Sequence, residues 1–242
     1  MKILYLSPGS GMTTAERQRR EHVLNMYASA GATVSIRSVE KGPVSIESAV
    51  EEEIAAAEVV RAMVNLQAEF DASIIGCFGD PGLRACRELA KIPIIGPAES
   101  TFYLSSQVAD RFGVLVSLKR DIAPTRALLA KYELLHKCAT IEPINMQVLA
   151  IREDQSRTSS ELARASHKAV ENGAECLIPG CMSLSFYVAE YGAPTNIEVP
   201  VLNPVGISVR TAETFVTLGM THSRRSYPEA DYEKLRATVF KA

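Results

Sequence analysis

Two stretches about a hundred residues apart, "ASIIGCFGDPG" from residue 72 and "CLIPGCMSLSF" from residue 176, share one design. Each is a short apolar run with the character of a fully buried strand, followed by a glycine, a cysteine and a turn. Cys77 and Cys181 stand 104 positions apart, while Pro93 and Pro97, which bracket the next apolar run, stand 107 positions before Pro200 and Pro204. Any two α/β halves look somewhat alike, because strands are apolar and turns use Gly and Pro. Matching strand, cysteine, helix and proline-flanked strand in one order is better explained by duplication.

The remaining pattern agrees. "KILYLS" at 2 to 7 reads as a first strand, and Thr13 with Glu16 as a capping box opening a helix that runs to about Ala30 and stops at Gly31. "ATVSIRSV" alternates as a strand, "SAVEEEIAAAEVVRAMVNLQAEF" is a long helix, "LRACRELA" a shorter one and "IPIIGP" a further strand. In the second half "RFGVLVS" repeats the opening strand and "APTRALLAKYELL" its helix. A helix from about Ser159 to Asn172 then opens on a second capping box, Thr158 with Glu161, and ends at Gly173.

Such alternation is the signature of βαβ units and parallel sheets. The fold class expected is α/β, with two pseudosymmetric parallel-sheet αβα domains and the active site in the cleft between them. "RTAETFVTLGM" and "DYEKLRATVF" are helical in pattern and have no counterpart after residue 98. They are expected to return to the first domain, giving 1–98 plus 209–242, with 99–208 as the second domain.

The chain's 242 residues, 47% apolar and 22% charged, suit a soluble globular protein of this organisation. A net charge of −2 with dispersed basic residues leaves no footprint for nucleic acid. The one basic run, "ERQRR" at 16 to 20, reads as a solvated helix face. No apolar stretch approaches the ~20 residues that cross a bilayer, and the N-terminus is too quickly polar for a signal peptide. A cytoplasmic homo-oligomer acting on a small molecule is expected, without nucleic-acid or membrane partners. Five cysteines without C-x-x-C spacing suggest neither a disulfide framework nor a metal site, and the four scattered histidines offer no ligand pair. With no Walker loop or G-x-G-x-x-G, no cofactor is expected.

An unpaired cysteine is most often core. Cys86 within a helix, Cys138 near a helix end and Cys176 inside a strand are read that way. Cys77 and Cys181 differ by their strand-end placement and their duplicated positions. Glycines 76, 79, 82 and 180 keep bulk low, so a ligand can approach the backbone, and N–H groups beyond a strand end favour a thiolate. Two thiols in one cleft suit a particular reaction: one removes a proton from a carbon acid and the other returns a proton to the opposite face. Asp80 in "GDPG" reads as a turn former, Thr13 as a cap and Ser10 as a substrate contact.

"GCFGDPGL" around Cys77, "GC" at Cys181 and "SPGSGMT" near the N-terminus resemble the aspartate/glutamate/hydantoin racemase superfamily, most closely its hydantoin racemase branch. The resemblance covers nearly the whole chain. It implies a cofactor-independent racemase or epimerase with Cys77 and Cys181 as the acid/base pair, and a 5-substituted hydantoin or related amino-acid derivative as substrate. The first loop, residues 7 to 11, would help hold that substrate. The substrate-binding residues expected are Ser7, Ser10, Phe78, Gly79, Asp80, Ser117, Met182 and Ser183.

Three departures from the family pattern stand out. The first loop reads Ser7-Pro8-Gly9-Ser10 where Asn-Pro-Asn is common, Ser117 is followed by Leu118 rather than closing a threonine pair, and Met182, Leu184 and Phe186 replace small residues after the second cysteine. The same cleft also suits decarboxylation or cis–trans isomerisation of a dicarboxylate, although retention of both cysteines counts against a decarboxylase. A non-catalytic two-lobed binding protein is the reading from another class.

Overall fold

A computed structural model describes residues 1–238. In the first half β1 (Lys2–Ser7), α1 (Thr14–Tyr27), β2 (Thr33–Ser38), α2 (Ala49–Leu66), β3 (Ala72–Ile75), α3 (Leu83–Leu89), β4 (Ile94–Ile95) and α4 (Pro97–Val108) follow one another. The second half runs β5 (Phe112–Val116), α5 (Ile122–Lys131), β6 (Cys138–Pro143), α6 (Ala150–Glu153), α7 (Gln155–Glu171), β7 (Cys176–Pro179), α8 (Met182–Tyr191), α9 (Pro204–Thr217) and α10 (Tyr232–Thr238). The strands form two parallel sheets, ordered β2-β1-β3-β4 and β6-β5-β7. Val201 bridges Leu177 in parallel and takes the place of β4 in the second sheet.

Both central strands, β1 and β5, are apolar on both faces because helices cover both faces of each sheet. Alternate residues of β1 divide between two cores. Ile3 and Tyr5 face a core shared with Ile74, Phe102, Phe112, Val114, Cys176, Ile178, Val205 and Val209, so one apolar cluster spans both sheets. Leu4 and Leu6 face an outer core with Val59, Met63, Leu83 and Cys86. The second half repeats this outer layer with Leu115, Leu162, Ala165, Ala169 and Leu177.

The helices following the fourth strand positions interlock the halves. Pro97 opens α4 and Pro204 opens α9, each at a first helical position, where proline loses nothing by lacking an N–H. The two helices pack on each other, α4 also against β7 and α9 also against β3. The first of the two terminal segments, "RTAETFVTLGM", lies largely in α9 and therefore has a counterpart in α4, contrary to the expectation that nothing after residue 98 matches it. The boundaries at 98 and 208 fall within these two helices. Residues 239 to 242 of the terminal segment lie outside the described residues.

Local corrections have simple causes. The second capping box does not form: α7 starts at Gln155, with the Asp154 carboxylate accepting from the Arg157 N–H. Thr158 is buried inside the helix and donates to the Ile151 carbonyl at 2.6 Å. Thr13 does cap α1, accepting from the Glu16 N–H. Glu16, however, turns its carboxylate to arginines instead of back to the cap. α1 ends at Tyr27, earlier than Gly31, which instead turns the chain into β2 with φ 82°. Gly173 ends α7 as expected, with φ 87° and the Ala174 N–H closing onto Ala169. Among the described residues no helix is long and apolar enough to cross a membrane.

Candidate functional site

Strand geometry delivers the two cysteines. Beyond β3 the Gly76 N–H donates to Leu6, and beyond β7 the Gly180 N–H donates to Leu115, both at 2.7 Å, so each chain stays pinned to the central strand up to the residue before its cysteine. Neither glycine has room for a side chain. A Cβ on Gly76 would lie 2.6 Å from the Tyr5 ring and 2.8 Å from the Leu6 carbonyl oxygen, and one on Gly180 would lie 2.6 Å from Val114. Gly76→Ala and Gly180→Ala should each cost about 1–3 kcal/mol in denaturant unfolding and reduce turnover by displacing the sulfur. Unchanged stability and turnover in both variants would remove this role.

Cys77 and Cys181, both partly exposed, line one cleft of about 1300 Å³. Cys77 receives the Gly79 N–H, but burial dominates, and nearby Glu52, Cys181 and Asp80 add to it, so the thiol is pushed up to about 12. Cys181 occupies the N-cap position of α8, its side chain making no capping hydrogen bond. β1 ends in Ser7 and β5 is followed directly by Ser117, and both serines line the same cleft. The Ser7 carbonyl accepts from Val39 and the Ser117 carbonyl from Met146, both at 3.0 Å. The Ser7 hydroxyl donates to the Gly9 carbonyl at 3.4 Å, whereas the buried Ser117 hydroxyl has no hydrogen-bond partner among the described residues.

The other residues singled out from sequence divide. Ser7, Phe78, Gly79, Asp80, Ser117, Met182 and Ser183 join the cysteines around the cleft; Ser10 does not. Ser10 is exposed, its N–H donating to Pro43 and its hydroxyl to Gly42, which ties the first loop to the segment before α2. The Phe78 ring points into the shared core, edge-on to Phe102 at 5.3 Å, and Met182 is buried in the same core. Asp80 sits at φ 52°, a conformation that aspartate tolerates better than most residues. Its carboxyl accepts from the Ala98 and Glu99 N–H groups at the start of α4, at 3.2 and 2.9 Å, and from the Tyr132 hydroxyl at 2.7 Å. Burial outweighs these hydrogen bonds and raises the carboxyl to about 7.

With this geometry in place, residues 3–212 match the Asp/Glu/Hydantoin racemase family. The chain belongs to that family. It is 30% identical over 237 residues to a hydantoin racemase of Paenarthrobacter aurescens, covering 97% of this chain and 99% of that one. A hydantoin racemase of Pseudomonas sp. (strain NS671) is 32% identical over 95% of this chain and 92% of its own. Among solved structures, an allantoin racemase from Klebsiella pneumoniae superposes with a TM-score of 0.86 at 28% identity, over 96% of this chain and 95% of that one. The protein is thus an isomerase, a racemase of this family.

Several groups of the racemase cleft were not singled out from sequence. The run at 16 to 20 is not a solvated face: Glu16, Arg19 and Arg20 turn toward the cleft. Arg19 and Arg20 hydrogen-bond Glu16, Arg19 also pairs with Glu190 and Arg152 with Glu16. Burial would raise the Glu16 carboxyl, but the arginine hydrogen bonds win and hold it at about 2. Arg20 also donates to the Ser183 hydroxyl at 3.1 Å and lies over the Phe186 ring. The signal was present, because positions 16, 19, 20 and 23 are linked by three- or four-residue helical spacings onto the side of α1 where Val23 and Leu24 are buried. Tyr5, fully buried in the core, donates to the Gly76 carbonyl at 3.3 Å, and its burial raises the phenol. Glu47 reaches the other half, accepting from the Val148 N–H at 2.9 Å and pairing with Arg120.

Proposed function

We propose that this racemase inverts C5 of a 5-substituted hydantoin, or of a related amino-acid derivative, with Cys77 and Cys181 as the acid/base pair and no cofactor. The observation that carries the reading is the equivalent placement of two sulfurs, one from each half, in one cleft and each directly after a strand-pinned glycine. The names of the relatives, hydantoin racemase and allantoin racemase, support the substrate class.

C5 of a hydantoin is a carbon acid, since its proton lies next to a ring carbonyl. The thiolate of Cys181 takes that proton and the electron pair moves onto the carbonyl oxygen as an enolate. The Cys77 thiol, kept protonated by burial, then gives its proton to the other face of the planar carbon. The electron pair returns to C5, leaving a Cys181 thiol and a Cys77 thiolate, the arrangement needed for the opposite enantiomer. Solvent exchange restores the starting state. Charge on the enolate oxygen calls for donors, and the unpaired Ser117 hydroxyl is one available group.

The test is racemisation of enantiopure 5-substituted hydantoins in deuterium oxide without added metal or cofactor. Loss of optical rotation together with deuterium at C5 is expected. Failure to exchange C5 of any hydantoin would remove the proposed substrate class.

A further inference from the structure

The Glu52 carboxylate stands out within the cleft. It lies on the first turns of α2, half-buried, with its Oε1 only 2.6 Å from where a Cβ on Gly79 would be, and that same position is 3.8 Å from the Cys77 sulfur. The missing side chain at Gly79 is what lets the carboxylate rest against the turn that carries Cys77. Among the described residues it has no hydrogen bond or ion pair. This contrasts with Glu16, Glu47, Glu99 and Glu142, each of which is matched by a cation. Lys131 is felt from a distance and also lines the cleft.

An unpaired carboxylate beside a reaction that develops negative charge is unfavourable unless something neutralises it or gives it a hydrogen bond. We propose that Glu52 accepts an N–H of the substrate's 5-substituent, so that this racemase favours hydantoins whose substituent bears a hydrogen-bond donor within a few atoms of C5 over those with a hydrocarbon substituent. The proposal rests on the hydantoin reading above. A ureido group and a guanidinium both supply the required N–H, one neutral and one cationic. Glu52 is then a specificity residue, and Gly79 leaves the space it needs.

The test compares kcat/KM for racemisation of allantoin, 5-(3-guanidinopropyl)hydantoin and 5-isopropylhydantoin by the wild type, Glu52→Gln and Glu52→Leu. The wild type should favour at least one donor-bearing substrate over the isopropyl compound. Glu52→Leu should lower that ratio by about tenfold or more, as expected for loss of a hydrogen bond to a charged group. Glu52→Gln keeps an acceptor, so retained preference for the ureido substrate identifies a neutral donor, and selective loss of the guanidino substrate identifies a cationic one. A ratio within threefold of wild type in both variants overturns the proposal. So does an equal loss on all three substrates with a displaced pH profile, because Glu52 would then act only by poising Cys77. Active wild type with an unmoved ratio removes Glu52 alone, whereas wild type inactive on all three removes the hydantoin reading and this inference with it.

Discussion

Alanine at Cys77 or at Cys181 is expected to lower racemisation of an enantiopure hydantoin by roughly 10² to 10⁴-fold, the usual contribution of a positioned acid or base. The two variants should not be equivalent when solvent deuterium is followed in place of optical rotation. With one sulfur gone, the other still faces one side of C5 and can exchange the proton on that side. Each variant should therefore label one enantiomer, and the two variants opposite enantiomers, while neither interconverts them. If both variants labelled both enantiomers at near wild-type rates, another group would be moving the proton.

Asp80→Ala should be among the most destabilising single changes at the cleft. It removes the acceptor for two N–H groups at the start of α4 and for the Tyr132 hydroxyl, all at a residue only 3% exposed. Loss of the cap together with buried donors left unpaired costs about 3 kcal/mol. At this chain length Tm falls by roughly 10 °C. The folded carboxyl is raised to about 7 from 3.8, so the native state binds the proton more tightly. The stability this contributes is fully present below about pH 3.8 and is lost as pH rises to about 7. Asp80→Asn should remove that slope, and a slope unchanged in Asp80→Asn would assign it to another group.

What could be read from the sequence was whatever repeats or is local. The duplicated strand ends located both cysteines, and the fixed offset between the proline pairs marked where β4 and α4 recur as Val201 and α9. Long-range partners left no such trace. Asp80 looks like an ordinary turn residue, and nothing nearby announces that its carboxyl caps a helix seventeen positions on. Ser10 has the right residue type for a substrate contact, but its hydroxyl is held by the Gly42 carbonyl thirty-two positions away. The charged run at 16 to 20 conceals its role because its composition suggests a solvated face, while its helical phase turns Glu16, Arg19 and Arg20 to the cleft. Glu52 is hidden in the same way, within a run of three glutamates of which the first is occupied at the helix cap.

The exchange of α4 and α9 also bears on how the chain is made. β3 and α4 are synthesised early, yet the helix that covers them, residues 204 to 217, comes near the end. At ribosomal speeds the gap between α4 and α9 lasts on the order of ten seconds, during which the apolar face around Ile74 and Phe102 lacks its cover. The first half is thus committed to wait for the last, and a nascent chain halted before residue 204 presents that face to chaperones and proteases instead of to its own helix.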